Sequence, residues 1–167
     1  MGTRNLTVVK NSQGTTKIAQ YGQWDGYPSY SGIQVLEFLR DEYNQQLLEA
    51  KLDVVEFITD EELDTIYEPF KTMDFENKEF LNAYPGLHRD TGVDILKVVA
   101  NAKGIIKTVD NSDFRNDELF CEGVYEVDFQ SKKFISTYNE IIKEFFLENL
   151  PTNEHYLTAM GVELETV

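Results

Sequence analysis

Nine residues near the start of the chain, Gln20-Tyr21-Gly22-Gln23-Trp24-Asp25-Gly26-Tyr27-Pro28, restrict the fold more than any other stretch. They hold the only tryptophan, two tyrosines, two glutamines, a carboxylate, two glycines and a proline. Regular helices and plain buried strands are not built from such a mixture, because glycine and proline interrupt both. Gly22 and Gly26 allow backbone angles that other residues avoid, and Pro28 fixes its own φ and biases Tyr27 toward extended geometry. The block predicts a shaped loop. Tyr21, Trp24 and Tyr27 offer rings for stacking, and Gln20, Gln23 and Asp25 offer hydrogen bonds to polar edges. The same residues also suit a rigid plug at the end of a sheet, with Trp24 as a core anchor.

The flanking pattern sets the architecture. Arg4 to Lys10 reads as a strand, Asn11-Ser12-Gln13-Gly14 as a turn, and Lys17 to Tyr21 as the returning strand that feeds the loop. Helical spacing follows from Ser31 through Leu39, and again from about Asn44 to Phe57. Thr59 predicts a capped helix start with Glu62 as its capping-box partner, and Pro69 ends or kinks that helix. A short helical turn is expected over Asn77 to Ala83. Asp90 or Thr91 caps a further helix that runs through Val99 toward Gly104. Ile105 to Val109 reads as a strand. Gly123 to Phe129 and Phe134 to Tyr138 form a second hairpin, and a helix is expected through Ile141, Ile142, Phe145 and Phe146, before a fraying tail. Segregated runs of strands and helices predict an α+β fold in one domain, residues 1–167. The expected sheet is antiparallel, built from the amino- and carboxy-terminal hairpins and covered on one face by the central helical segment.

Charge narrows the partners. The formal net charge is −15, so the chain repels phosphate backbones overall and no direct nucleic-acid binding is expected. The distribution is uneven. Residues 1–36 carry Arg4, Lys10 and Lys17 against Asp25 alone, whereas residues 37–80 carry fourteen acids against four cations. The aromatic loop therefore lies in a mildly positive segment, where a small anionic ligand is tolerated best. Arg4, with Asn5 beside it, is expected near Tyr21 if the first two strands pair, and its guanidinium could clamp a phosphate or bridge to a carboxylate. His88-Arg89-Asp90-Thr91-Gly92 stands at an expected helix start, which favours an anion. There His88 could serve acid–base chemistry, or Asp90 could act only as a cap.

Other chemistry finds little support. Cys121 is the single cysteine, which allows neither an internal disulfide nor a cysteine metal cluster and suits a reducing cytoplasm. Two histidines, His88 and His155, lack ligand spacing, so no metal and no cofactor is expected. Neither a Gly-x-Ser-x-Gly elbow nor a phosphate-binding glycine pattern occurs. No apolar run reaches membrane-spanning length.

Several blocks together suggest kinship. Met1-Gly2-Thr3-Arg4-Asn5-Leu6-Thr7, Ala19 to Pro28, Arg89-Asp90-Thr91-Gly92 with Ile95-Leu96, and Tyr125 to Phe129 resemble a set of uncharacterised small proteins of bacteriophages, prophages, and scattered bacteria and fungi. The Gln-Tyr-Gly-Gln-Trp-Asp-Gly-Tyr-Pro block carries most of that likeness, which spans most of the chain. Ser29-Tyr30 departs from the glycine usual after the proline. The resemblance implies a phage setting and a pocket that gathers Arg4, the loop, Arg89-Asp90 and Asp128. No activity comes with it.

The leading expectation is non-catalytic binding of a small anionic, nucleotide-like ligand, such as a host defence signal sequestered by a phage. Arg4 and Arg89 would meet its phosphates and Trp24 and Tyr27 would stack. Two rivals stand beside it: a hydrolase of a similar ligand using His88, Asp90 or Asp25, and an acidic inhibitor of a basic host protein using residues 37–80.

Overall fold

The computed structural model describes residues 2–71 and 78–163. Its fold is α+β. Strand β1 (Asn5–Lys10) turns through Asn11–Gly14 into β2 (Thr16–Gly22). The Asn11 side chain builds this turn by accepting from the Gln13 and Thr15 amides, a local bond typical of asparagine in turns. After the aromatic block comes one π-helical turn, Pro28–Gly32, then α1 (Ile33–Arg40) and α2 (Glu42–Lys51). The expected helix from Asn44 to Phe57 is shorter than its apolar spacing suggests. It gives way to a 3-10 turn at Leu52–Val54 and to β3 (Val55–Phe57).

Helix α3 (Asp60–Tyr67) starts where Thr59 caps it, its hydroxyl accepting from the Glu62 amide at 3.2 Å. Pro69 lies in the 3-10 turn that comes next, Glu68–Phe70. Helix α4 (Lys78–Ala83) matches the expected short turn, whose first residue, Asn77, lies outside the described residues. Beyond it come a 3-10 turn at Gly92–Asp94, α5 (Ile95–Ala100) and β4 (Ile106–Thr108). The second hairpin, β5 (Gly123–Asp128) with β6 (Lys133–Tyr138), is as expected.

Two corrections concern the carboxy-terminal region. Ile141–Phe146 is a strand, β7, not a helix. Asn139, at φ 54°, turns the chain directly after β6, so Tyr138 pairs with Ile141 and Lys133 with Phe146. The tail then forms α6 (Asn153–Ala159), capped by the Thr152 hydroxyl and anchored by fully buried Tyr156.

The five-stranded sheet has the order β2-β1-β5-β6-β7. It joins the two hairpins as expected, but through a parallel β1–β5 contact, so it is mixed rather than wholly antiparallel. Strands β3 and β4 form a separate parallel pair.

Alternation along the strands assigns the two faces. Val9, Ile18, Val127 and Phe134 share one large apolar cluster with Leu36, Leu39, Leu48, Leu96 and Val99 from α1, α2 and α5, and with Tyr156 from α6. Each such side chain contributes about 1.5–3 kcal/mol on burial. On the opposite face Leu6, Val8 and Ala19 form a smaller cluster, packed by Phe114, Cys121 and Val124. Glu126 is buried there between Lys10 (3.6 Å) and Arg115 (3.3 Å), which ties the 112–116 turn to the sheet.

Candidate functional site

The same alternation distributes the residues singled out in the sequence. Asn5, Thr7 and Gln20 share the helix-covered face with Val9 and Ile18; Arg4, Leu6 and Tyr21 take the other. Asn5 is 1% exposed, and its Nδ2 donates to the carbonyls of Thr3 (3.3 Å), Gly22 (3.4 Å) and Trp24 (3.1 Å). It is the brace of the loop. Gly22 and Gly26 are required by space rather than by backbone angle. A Cβ on Gly22 would lie 2.5 Å from Asn5 Oδ1, and one on Gly26 would lie 2.6 Å from the Thr3 carbonyl oxygen.

The residue in the left-handed region is Asp25, at φ 54°, a conformation tolerated by Asp at modest cost. Ser31 holds it there, donating its hydroxyl (2.6 Å) and its amide (3.1 Å) to the Asp25 carbonyl.

The loop projects Trp24, which is 48% exposed, so it is not a core anchor. Its Nε1 donates to Asp90 Oδ1 at 3.1 Å, across 66 positions of sequence. The loop and the 88–92 cluster thus meet. Between them lies a cleft of about 250 Å³, whose lining includes Gln23, Trp24, Asp25, Arg89, Asp90 and Asp94. Arg89 Nε is 3.5 Å from Asp90 Oδ1. Asp25 and Asp94 also line the cleft, and no hydrogen bond or ion pair engages either carboxylate among the described residues.

Not every candidate reaches this cleft. Arg4 does not line it; its guanidinium lies over the Phe120 ring, 5.0 Å from the centroid. One-residue parity explains the difference: Arg4 shares its face with Leu6, not with Asn5. Tyr21 packs edge-on to Phe114 at 5.0 Å and donates its hydroxyl to Gln23 Oε1 at 2.5 Å. Tyr27 sits near Tyr138 and Tyr30, at 6.0 and 6.2 Å between centroids. Gln20 is buried and does not line the cleft.

His88 is buried too, and its Nδ1 accepts from the Asp90 amide at 3.1 Å. Asp90 is committed to Trp24 and Arg89 rather than to a helix cap. Thr91 makes no cap bond either; its hydroxyl donates to the Pro85 carbonyl at 2.5 Å. Asp128 accepts from the Gln130 and Ser131 amides in its own hairpin turn.

Sequence reasoning missed Asp94 and Gln34. Asp94 and Gln34 carried no signal beyond being polar helix-edge residues. Gly92 closes the 88–92 cluster that the sequence singled out; its φ is 46°, and a Cβ placed on it would lie 3.9 Å from the Gly22 Cα.

A larger recess of about 860 Å³ lies between α2 and the end of β7, lined by Glu42, Glu49, Phe146 and Leu150. It holds none of the expected ligand-binding residues, and its Glu42 and Glu49 belong to the acidic 37–80 segment. Its Arg40 guanidinium is spent on the Pro151 carbonyl, at 3.0 and 3.2 Å. Among the described residues no set of three or more His, Cys, Asp or Glu could hold a metal ion, and no helix is long and apolar enough to cross a membrane. No family model, curated protein or solved structure matches the chain.

Chemically the cleft can stack, accept and donate. Trp24 supplies a flat face, Asp25 and Asp94 supply acceptors, and Arg89 and the Gln23 amide supply donors. The nearby hydroxyls of Ser31 and Thr91 both donate to backbone carbonyls, and the nearby imidazole, His88, is buried behind the wall.

Proposed function

We propose that this protein binds, without turning it over, a small nucleotide-like ligand in the cleft between the aromatic loop and the 89–94 turn. One observation carries the proposal: a half-exposed indole, fixed in position by a carboxylate 66 residues away, forms the edge of a polar cleft. A base would stack on Trp24, a contact worth about 1–3 kcal/mol. A single anionic group would meet Arg89. The volume suits one base and its sugar rather than a dinucleotide. Three carboxylates against one guanidinium weigh against a polyphosphate. In the phage setting that the sequence resemblance implies, such binding would withdraw a host signal from circulation.

Because Trp24 is the only tryptophan, its fluorescence reports the site directly. Titration with mononucleotides should quench it saturably, and the ligand should be recovered chemically unchanged. Absence of quenching by every mononucleotide, with the fold intact, would sink the proposal; consumed ligand would favour a hydrolase instead.

A second reading, docking of a basic protein, is favoured by α3. None of its residues is buried, and Asp60, Glu61, Glu62 and Asp64 lie in its first turns. Charge reversal at Glu61 and Glu62 would weaken such docking and leave the Trp24 titration unchanged.

A further inference from the structure

The acceptors that line the cleft bear on which base would fit it, a question that rests on its being a mononucleotide site. Asp25 stands next to the indole in sequence, and Asp94 lines the same cleft from the opposite wall. Neither carboxylate is engaged among the described residues. A third acceptor lies directly behind. Asn5 Oδ1 has no hydrogen-bond partner among the described residues, in a side chain 1% exposed, and fills the space a side chain on Gly22 would take. Gly22 itself forms part of the cleft wall. Asn5 does not itself line the cleft, so the side-chain acceptors that bear on a ligand there are the carboxylates of Asp25 and Asp94.

We infer that the cleft selects a base whose edge carries adjacent donors, the guanine type, over adenine. Guanine presents a ring N–H beside an exocyclic NH₂, and the two match the paired oxygens of one carboxylate. Adenine presents an acceptor at the corresponding ring position, which would face a carboxylate and repel it. A bidentate pair of this sort discriminates by about 1–3 kcal/mol, a roughly tenfold to hundredfold difference in affinity. The same carboxylates oppose added phosphates, so the monophosphate is held more tightly than the triphosphate.

The test is a titration of the full chain, by calorimetry and by Trp24 fluorescence, with GMP, IMP, AMP and GTP. GMP should bind tightest. IMP keeps the ring N–H and lacks the amino group, so it should fall between GMP and AMP. GTP should bind more weakly than GMP. The variants are Asp25→Asn, Asp94→Asn and both together. Asn tolerates the left-handed backbone at position 25, so the loop geometry is kept while the charge is lost. The double variant should bring GMP and AMP within about threefold of each other, given the size of the pair it removes. Equal affinity for GMP and AMP in the unaltered protein overturns the base selection and leaves the binding proposal standing. A GMP preference that survives in the double variant also overturns it. Failure of all four ligands to bind, with circular dichroism unchanged, overturns both.

Discussion

The two hairpins of the sheet are alike in length and opposite in how they treat polar groups. In β5–β6, Ser136 and the Tyr156 hydroxyl are 2.7 Å apart, and Tyr125 donates to the Gly26 carbonyl at 2.5 Å. In β1–β2, three buried oxygens have no partner among the described residues: Asn5 Oδ1, Thr7 Oγ1 and Gln20 Oε1. All three lie on the face that Val9 and Ile18 share with the helices. Native interiors pair nearly all such groups, and departures from that rule concentrate where a fold serves something other than stability. The second hairpin is therefore scaffold. The first carries the aromatic loop and leaves these three oxygens without a partner among the described residues.

Substitutions that weigh one hairpin against the other break or sharpen this contrast. The largest effect is expected from Phe134→Ala, which empties a fully buried site between Phe145 and Tyr156. It should cost about 3–5 kcal/mol in urea unfolding, as large aromatic deletions do. Trp24→Ala should do the reverse. It should lower mononucleotide affinity by about 1–3 kcal/mol, read by calorimetry, with little change in the unfolding midpoint. Tyr156→Phe removes the partner of buried Ser136 and should cost about 1–3 kcal/mol. Thr7→Val deletes an oxygen left unpaired among the described residues, so its effect on the midpoint should be neutral or slightly stabilising, within about 1 kcal/mol. A clear loss with Thr7→Val would show that the first hairpin is as fully paired as the second.

Alkali probes the same contrast through titration. Burial raises the phenol pKa of both Tyr125 and Tyr156 above the ordinary value of 10.0. Below that value both phenols are neutral in folded and unfolded chains alike. As pH rises above it, the unfolded chain loses protons first, so stability falls. Melting temperature should drop above about pH 10, and Tyr156→Phe should blunt the drop. Burial also pushes the Cys121 thiol up to about 11. Alkylation at neutral pH should be much slower than for a free cysteine, because the thiolate is the reacting form.

Local chemistry made much of the fold legible in the sequence. The Asn11–Gly14 turn, the Thr59 cap and both hairpins follow from residues within a few positions of one another. The aromatic loop was readable as a shaped loop, although its glycines serve close approach to Asn5 rather than unusual angles. What escaped depended on distant partners. Ile141, Ile142, Phe145 and Phe146 are spaced as on one helix face, yet β6 supplies a free edge and recruits them as a strand. The signal against a helix was Asn139, which favours a left-handed turn. Arg4 was expected beside the loop, but strand parity points it to Phe120. The parallel β1–β5 contact had no local signature at all, since it joins residues more than a hundred positions apart. The link between Trp24 and Asp90 is of the same kind.

The central place of β1, between β2 and β5, carries a consequence for how the molecule is made. Residues 123–128 are synthesised more than a hundred positions after β1, so until they emerge the flank of β1 that pairs with β5 has no partner. A nascent chain stalled before that point should be open to protease along its amino-terminal strand. Release of a few dozen further residues should close it, and only then do both walls of the Trp24 cleft stand on a finished sheet.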